Sequence, residues 1–527
     1  MNPTEPTMAT LIVAALRRHR GRTAIVNIDG SQLSFEALAD RSWRLANALV
    51  DGLGLQHGDR VAVLADNRAE YIELDLACAL TGLVKVPLYV RNAPQEHLLM
   101  LEDAGASALV LEPHLAATMH EALDGHWERF ANRVVVLSGP GCEVGGVHDY
   151  EQLLAGSSSR TRDISIVQPE DPYQVRYTAG TTGRAKGALT DHRGMLAATN
   201  GNVSFHGLEV SVGPGDVIAH VTPFSHTSAF NIAGHSWAGV AHLPMPHFDP
   251  EQFLDLTESY RISITMMVPS MIGMLLEEEG QRDLSSLRTI AYGGAPISES
   301  VLTRVLERFG PIFTQGYGST ETPSFVVWLP KADHVPGSER LRAAGVAAPF
   351  VDVQVLDKED RPCEPGEVGE VCVRSPTMFR EYVNQPDATR EAKANGWYHS
   401  GDMGLMDTSG YLYLRDRKRD VIISGGFNIY PAEVENAIMH HSEVLECAVV
   451  GTEHPKWGEV VSAVIRVRPP STLNLSEVQA HCQKHIGSYK KPRRVRITEE
   501  PLPVSPVGKI LRREVRDSFT TQPYEGD

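Results

Sequence analysis

The sequence contains no long hydrophobic run, and this absence excludes one class of protein. Its 527 residues include no apolar stretch of the roughly 18–20 residues that a transmembrane helix requires. The short apolar stretch Leu11–Leu16 is followed by Arg17, Arg18 and Arg20, whereas the charges of a signal peptide precede its apolar part. We therefore expect no membrane span and a cytoplasmic protein.

Cysteine is also scarce and scattered. The six cysteines are Cys78, Cys142, Cys363, Cys372, Cys447 and Cys482. They form no CxxC pair and no framework spacing, so free thiols in a reducing compartment are favoured over disulfides or a zinc site.

Positive charge is in deficit. The formal net charge of −17 argues against general nucleic-acid binding. The segment from Arg417 to the C-terminus differs, because its 16 basic and 14 acidic residues give a net charge of +2. Two interpretations stay open: a solvated surface bias, or a segment that handles anions such as the phosphates of ATP or CoA.

The chain also lacks internal repeats and low-complexity segments, and its length favours two or more domains. Over roughly the first 330 residues, short β-rich runs alternate with amphipathic stretches, which is typical of layered α/β folds. The predicted buried strands there are Arg60–Leu64, Ala108–Leu111, Val134–Leu137 and Val175–Tyr177. Val351–Leu356 and Glu370–Arg374 predict antiparallel strands of a small barrel or sheet.

A domain boundary is predicted at Arg415–Asp420, where every residue is charged. Beyond it, Pro431 is well placed to begin a helix. Strands are predicted at Cys447–Val450 and Val460–Val467, and a second helix at Ser476–His485. About the last 110 residues therefore form a candidate mobile domain.

A loop rich in glycine and threonine follows the predicted strand at Val175–Tyr177. Glycine lets the backbone turn tightly and direct N–H groups inward, threonine adds hydroxyl donors and lysine adds positive charge. The residues concerned are Thr178, Gly180, Thr181, Thr182, Gly183 and Lys186. The spacing is not that of a Walker A loop. The loop therefore predicts phosphate binding of another kind, although a surface turn would also fit it.

Further motifs follow in order along the chain. They are the turn Gly293-Gly294-Ala295-Pro296, the run Tyr317-Gly318-Ser319-Thr320-Glu321, the run Ser400-Gly401-Asp402, the charged run around Arg417, and Gly508-Lys509-Ile510. Together with the loop, they resemble the adenylate-forming enzymes, which include acyl-CoA synthetases, aryl-CoA ligases, firefly luciferases and the adenylation domains of peptide synthetases. The resemblance spans nearly the whole chain, with Ala185 standing where the family loop usually has proline.

The resemblance implies a large N-terminal domain of two α/β layered subdomains plus a small β-barrel, and a smaller mobile α+β C-terminal domain. It implies a free-standing acid–CoA ligase that uses ATP, Mg²⁺ and CoA. Gly294, Ala295 and Pro296 would pack against adenine, Asp402 and Arg417 would contact the ribose, and Thr320 would meet a phosphate. Glu321 would hold Mg²⁺, and Lys509 would stabilise the transition state of adenylation. Tyr317 and Gly318 belong to the same nucleotide site.

The family uses its small domain in two poses, which places a hinge two residues after the ribose arginine. That hinge is Arg419, where aspartate or lysine is usual, and the domains would be residues 1–416 and 417–527. In the second pose a glycine-bearing loop, here containing Gly425 and Gly426, would admit CoA, because a narrow tunnel leaves no room for a Cβ.

The acid pocket is expected around Pro223-Phe224-Ser225-His226, which resembles a family segment whose histidine lines that pocket. The other pocket residues are Thr227, Phe230, Tyr292 and Gln315. Because His226 is not an anion, an amino-acid substrate is disfavoured, and the surroundings favour a fatty or aromatic acid. Arg176 is unexpected in a buried strand, and the sequence assigns it no role.

Other activities stay open beside the CoA ligase, which we expect to act as a monomer or homodimer on a small carboxylic acid. A carrier protein could replace CoA as acceptor in trans, although the chain ends 18 residues after Lys509. A luciferase-like oxygenase is disfavoured by a C-terminus without a peroxisomal signal. A non-catalytic nucleotide sensor would be expected to have lost Glu321 or Lys509.

Overall fold

The computed structural model describes residues 5–123, 127–130, 132–139, 144–178, 185–209, 212–295, 297–417, 420–504 and 510–527. These residues form four β-sheets with helices packed against them, three in a large N-terminal part and one in a smaller C-terminal domain. Within these ranges, no helix is both long and apolar enough to cross a membrane.

Strands and helices alternate through most of the N-terminal part, as the sequence predicts. The strands are β1 (Thr23–Val26), β2 (Gln32–Ser34), β3 (Arg60–Leu64), β4 (Val84–Leu88), β5 (Ala108–Leu111), β6 (Val134–Val136), β7 (His148–Asp149), β8 (Pro172–Thr178), β9 (Lys186–Asp191), β10 (Val217–His220), β11 (Ala241–Pro244), β12 (Ile264–Met267), β13 (Thr289–Gly293), β14 (Phe313–Tyr317), β15 (Val327–Leu329), β16 (Val346–Ala347), β17 (Asp352–Leu356), β18 (Gly369–Arg374), β19 (Glu381–Tyr382), β20 (Tyr398–Met406) and β21 (Leu412–Arg417). The helices are α1 (Met8–Arg18), α2 (Phe35–Asn47), α3 (Ala69–Thr81), α4 (Pro94–Ala104), α5 (Pro113–Ala122), α6 (Tyr150–Ala155), α7 (His192–Glu209), α8 (Ile232–Ala238), α9 (Pro250–Tyr260), α10 (Pro269–Glu277), α11 (Glu299–Phe309) and α12 (Pro386–Ala392).

Two large sheets form the centre of the N-terminal part. Sheet A has the strand order β16-β15-β14-β13-β12-β10-β11-β1-β2, and sheet B has the order β19-β9-β8-β4-β3-β5-β6-β7. Neighbours from β14 to β1 in sheet A, and from β8 to β7 in sheet B, are parallel. Every residue of β4 is buried, as expected for a parallel strand with both faces covered.

The two sheets share one apolar layer. It contains Ile25 of sheet A, Val63 of sheet B and Leu76 of α3, so α3 packs in the space between the sheets. Outside this layer, α9, α10 and α11 cover the other face of sheet A, and α4 and α5 cover that of sheet B. The strands predicted at Arg60–Leu64 and Ala108–Leu111 are confirmed with unchanged bounds.

The predicted small barrel or sheet is a four-stranded antiparallel sheet, sheet C, in the order β17-β18-β20-β21. In the C-terminal domain, the described residues from Asp420 onwards form sheet D and three α-helices. Its elements are β22 (Ile422–Ser424), β23 (Phe427–Ile429), α13 (Pro431–Met439), β24 (Val444–His454), β25 (Gly458–Val467), α14 (Leu475–Cys482), β26 (Arg494–Thr498), α15 (Arg512–Thr521) and β27 (Glu525–Gly526). As predicted, Pro431 is the first residue of α13.

Candidate active site

The carboxyl ends of β13 and β14 lie side by side at one edge of sheet A. The strands are parallel, with Tyr292 opposite Gln315 and Gly293 opposite Gly316. A Cβ on Gly293 would lie 2.2 Å from the carbonyl oxygen of Gly316, so only glycine lets the two strands approach this closely. Open α/β sheets commonly bind ligands at such carboxyl edges.

The predicted adenine and phosphate motifs follow these two strands directly. After β13, Gly294 is exposed with a φ of +81°, a conformation that favours glycine, and Ala295 is half-buried beside it. After β14, a Cβ on Gly318 would lie 2.4 Å from the carbonyl oxygen of Ser324, because the chain folds back on itself. Thr320 lies half-buried in the same turn.

Tyr317, Asp402 and Arg417 form a cluster that we call the ribose corner. The Tyr317 hydroxyl donates to Asp402 Oδ2 at 2.6 Å, and Arg417 Nε lies 2.7 Å from Asp402 Oδ1. Asp402 and Arg417 are also cross-strand partners on β20 and β21. Burial, followed by the negative charge of Asp402, raises the pKa of Tyr317 well above its usual value, so Tyr317 stays a neutral donor. The corner holds one carboxylate in a fixed orientation.

Glu321 is buried beside sheet B, and the sequence did not predict its partner. The Tyr382 hydroxyl donates to Glu321 Oε1 at 2.7 Å, and the backbone N–H of Phe379 donates to the Glu321 carbonyl at 2.7 Å. Burial, and then Glu321 itself, raises the pKa of Tyr382. Tyr382 lies on β19, which pairs with β9. No local sequence signal joins two residues that are 61 positions apart.

The phosphate loop connects β8 and β9, which pair antiparallel with Thr178 opposite Lys186. The Lys186 ammonium lies 5.0 Å from the centre of the Tyr382 ring. A Cβ on Gly187 would lie 2.9 Å from Val175 Cγ1, so this glycine is required by packing. Several predicted site residues lie outside the described residues: Gly180, Thr181, Thr182, Gly183, Pro296, Arg419 and Lys509.

The segment that carries His226 is held by Asn67, which the sequence did not single out. The Asn67 amide donates to the carbonyls of His220 and Thr222 at 2.9 Å each, and its oxygen accepts from the N–H of Phe224 at 2.7 Å. Asn67 follows β3 of sheet B, whereas the segment follows β10 of sheet A. This buried side chain therefore fixes the predicted acid-pocket segment across the two sheets.

His226 contacts the side chains of Ser225 and Tyr89. Its Nδ1 lies 3.0 Å from the hydroxyl of Ser225, and its ring meets that of Tyr89 edge-on with centroids 5.1 Å apart. Thr227 follows half-buried, and Phe230 is buried. The two other predicted pocket residues lie on sheet A, where the Tyr292 hydroxyl is 3.1 Å from Gln315 Oε1 and 3.0 Å from His334 Nε2.

Arg176 connects the predicted pocket residues, although the sequence gave it no role. Its guanidinium lies 3.9 Å from the centre of the Phe230 ring and donates to the carbonyl of His226. A second bond of 3.2 Å joins it to the side chain of Gln174. Only 3% of Arg176 is exposed, and burial lowers its pKa to about 10, so it stays charged at neutral pH. The groups that contact the Arg176 guanidinium in the described part of the chain are all uncharged.

In the C-terminal domain, Gly425 and Gly426 form the turn between β22 and β23. Their φ values are +58° and +87°, which a two-residue hairpin turn of this kind requires at both positions. A Cβ on Gly425 would also lie 2.8 Å from the ring of Trp457. On either side of the turn, Ile423 and Phe427 are more than half exposed.

Comparison with known proteins identifies the family. Residues 12–383 match the AMP-binding enzyme family, and residues 433–509 match the AMP-binding enzyme C-terminal domain. The chain belongs to the AMP-binding enzyme family. This confirms the predicted membership of the adenylate-forming enzymes.

Similar proteins of this family cover nearly the whole chain. The fatty acid–[acyl-carrier-protein] ligase ScoC of Streptomyces coeruleorubidus is 35% identical over 95% of this chain and 94% of its own length. A feruloyl-CoA synthase of an Amycolatopsis species is 36% identical over 93% of this chain and 94% of its own length. ATP-bound MatB of Rhodopseudomonas palustris has a similar structure, with a TM-score of 0.85, 28% identity, and coverage of 97% of this chain and 99% of MatB.

The comparisons bear out the fold and the reaction class predicted from the sequence. The large multi-sheet N-terminal part and the smaller C-terminal domain match the solved structures of the family. The enzyme is an AMP-forming acid–thiol ligase, as predicted, and ATP and CoA are substrates of its family.

Proposed function

We propose that this enzyme joins an aromatic carboxylic acid to CoA in two half-reactions at the edge of sheet A. In the first, the acid carboxylate attacks the α-phosphate of ATP, giving acyl-AMP and pyrophosphate. In the second, the thiol of CoA attacks the acyl carbonyl, giving the acyl-CoA and AMP. The observation that carries the proposal is the ribose corner, because it sets a carboxylate beside the ends of β13 and β14, where a nucleoside would lie.

The nucleotide would be held along this edge. Asp402 would accept hydrogen bonds from the ribose hydroxyls, since a carboxylate has about four acceptor sites on its two oxygens. Gly294, Ala295 and Pro296 would contact adenine. The loop after Thr178, with Lys186, would hold the phosphates that leave as pyrophosphate.

Glu321 is suited to serve as a ligand of Mg²⁺. Its carboxylate is a hard oxygen donor, and within the described residues Tyr382 engages one of its two oxygens. Bound there, Mg²⁺ would neutralise charge on the leaving pyrophosphate. Thr320 would orient a phosphate oxygen. Lys509 would offset the repulsion between the two anions that meet in adenylation.

The acid pocket supports an aromatic substrate over a long saturated one. Arg176 places a fixed positive charge, stacked on Phe230, against the segment that carries His226. The guanidinium is already buried, and the cationic wall that it forms with Phe230 suits an aromatic acid, because the face of an aromatic ring attracts a cation whereas a saturated chain does not. His226, Thr227, Tyr292 and Gln315 would line the remainder of the pocket.

The second half-reaction would require the C-terminal domain to rotate about Arg419, with residues 1–416 and 417–527 as the two domains. Asp416 supports a junction here, because its Oδ2 accepts from the N–H of Ala432 in the first turn of α13 at 2.9 Å. After rotation, the Gly425–Gly426 turn would face the site and admit the thiol of CoA. The five described cysteines are free thiols, which supports a cytoplasmic location.

A panel of acids tests the proposal. The purified chain is incubated with ATP, Mg²⁺ and benzoate-type, cinnamate-type or saturated fatty acids, with CoA or with an acyl-carrier protein, and AMP and thioester are measured. We expect thioester from an aromatic acid that depends on CoA. Adenylate that only a carrier protein discharges would favour the alternative, for which the similarity to ScoC is the specific support. Preference for a saturated fatty acid would refute the assignment of an aromatic substrate and leave the proposed ligase reaction standing.

A further inference from the structure

Three side chains of different chemistry meet on one face of sheet C. Cys372 on β18 lies opposite His399 on β20, and Glu370 lies two residues before Cys372, so all three share a face. Cys372 Sγ is 3.5 Å from His399 Nδ1, which is 3.4 Å from Glu370 Oε2. The three donor atoms lie within 4.8 Å of one another.

We propose that Glu370, Cys372 and His399 bind a divalent cation of borderline softness such as Zn²⁺, with water as the fourth ligand. A tetrahedral zinc ion with its usual bond lengths holds a thiolate sulfur about 3.5 Å from an imidazole nitrogen, and that nitrogen about 3.4 Å from a carboxylate oxygen. The two separations that involve His399 match these values. The strands therefore hold the donors at metal-binding spacing without movement of the backbone.

Neighbouring groups orient two of the three donors. The N–H of Gly401 donates to Glu370 Oε1 at 3.1 Å and so directs Oε2 towards the cluster. On the far side of the imidazole, His399 Nε2 is buried without a hydrogen-bond partner in the described part of the chain, and Asp360 Oδ1 lies 3.9 Å away. Ligation through Nδ1 would keep the proton on Nε2, and a small shift would bring Asp360 within hydrogen-bond distance of it, in the manner of the outer-shell carboxylates of metal-bound histidines.

The charges and the burial of the cluster suit this class of ion. A thiolate and a carboxylate together neutralise a divalent cation, and a sulfur ligand disfavours the hard ions Mg²⁺ and Ca²⁺. Cys372 is fully buried, whereas the side chains of His399 and Glu370 are 15% and 13% exposed, which leaves a route from solvent. Ser400 and Asp402 follow His399 on β20, so the ion would brace the strand that carries the ribose corner.

Cobalt spectroscopy tests the proposal without any measurement of ligase activity. The full chain, freed of metal with a chelator, is titrated with Co²⁺ while thiolate-to-cobalt charge transfer in the near ultraviolet and the visible bands of a tetrahedral site are recorded. We expect one equivalent of Co²⁺ to bind, Zn²⁺ to displace it, and excess Mg²⁺ to leave it in place. Cys372→Ser should lose the charge-transfer band, and His399→Gln and Glu370→Gln should each weaken binding at least about tenfold.

Cys363→Ser is the matched control, because Cys363 is a partly exposed thiol outside the cluster, and its spectrum should equal that of the parent. Absence of a thiolate band in the parent chain, or a band that persists in Cys372→Ser, would overturn the proposal. Should Cys372→Ser fail to fold, the thermal unfolding of the parent chain is compared with that of His399→Gln. Zn²⁺ should raise the Tm of the parent chain more than that of His399→Gln, and equal shifts would equally overturn the proposal.

Discussion

At the nucleotide end of the site, three side chains that the sequence singled out form one cluster, whereas at the acid end the segment of His226 is held by side chains to which the sequence gave no role. The ribose corner consists of Tyr317, Asp402 and Arg417, joined by contacts of 2.6 and 2.7 Å. The segment of His226 instead depends on Asn67 after β3 and on Arg176 of β8. The residues of the nucleotide end therefore lie in short motifs that the sequence shows, whereas the acid end depends on partners that only the packing of the sheets brings to it.

This difference means that the two ends should respond separately to substitution. A change in the ribose corner should alter the use of ATP and leave the choice of acid unchanged. A change at Arg176 should alter the choice of acid and leave the use of ATP unchanged. The following predictions test that separation, beginning with the largest expected effect.

Asp402→Ala should have the largest effect on catalysis. It removes the proposed acceptor of two hydrogen bonds from the ribose and leaves the guanidinium of Arg417 without its carboxylate partner. At about 1.5 kcal/mol for each of two bonds to a charged group, kcat/KM for ATP should fall about 100-fold. Asp352→Asn, which removes an exposed carboxylate from the same sheet, is the control and should have little effect. An equal rise in KM for the acid and for ATP would contradict the separation.

Gly293→Ala should destabilise the edge of sheet A to which we assign the nucleotide. The new Cβ would lie 2.2 Å from the carbonyl oxygen of Gly316, so β13 and β14 must move apart. We expect a loss of about 1–3 kcal/mol, measured by chemical denaturation, together with weaker binding of ATP. Gly273→Ala is the control, because its Cβ would meet open space within α10 and should stabilise the helix by about 0.5–1 kcal/mol.

Arg176→Met should change the preference of the enzyme among acids and leave its use of ATP unchanged. Without the stacked guanidinium, kcat/KM should shift about tenfold from aromatic towards saturated acids, while KM for ATP stays within about twofold. Arg176→Lys should not restore the preference, because an ammonium cannot stack on Phe230 as a planar guanidinium does. Arg374→Met removes a similar but exposed stack on Trp397 at 4.1 Å and serves as the control. Unchanged acid preference in Arg176→Met would contradict the assigned pocket.

Asp416→Asn should have the smallest effect, and one that depends on pH. Burial raises the pKa of Asp416 to about 6, against the opposing effects of Arg512 and the Ala432 N–H. The folded chain therefore holds this proton more tightly than the unfolded chain, and stability falls as pH rises from about 4 through 6. The variant should have a higher Tm than the parent at about pH 7.5 and an equal Tm at about pH 4. Asp387→Asn, at a side chain that is 89% exposed, should give no such difference.

Much of the fold could be predicted from the sequence, because the central strands are local apolar runs between turn residues. The predicted Ala108–Leu111 has the bounds of β5, and Pro431 begins α13. The nucleotide motifs were visible because each is contiguous in the chain. The partner of Glu321 and the residue that holds the His226 segment were not visible in the sequence. Tyr382 reaches Glu321, and Asn67 reaches that segment, only through the pairing and packing of the sheets. Arg176 was noticeable as a charge within a buried strand, but its role depends on Phe230, 54 positions away.

The two half-reactions, measured separately in Lys509→Ala and Arg419→Pro, test the central claim most directly. Adenylation is followed by acid-dependent exchange of pyrophosphate into ATP, and transfer by thioester formation from synthetic acyl-adenylate and CoA. Lys509→Ala should lower adenylation at least about 100-fold and spare transfer. Arg419→Pro should spare adenylation and slow transfer, because the C-terminal domain could no longer rotate. Equal loss of both half-reactions in both variants would contradict the account.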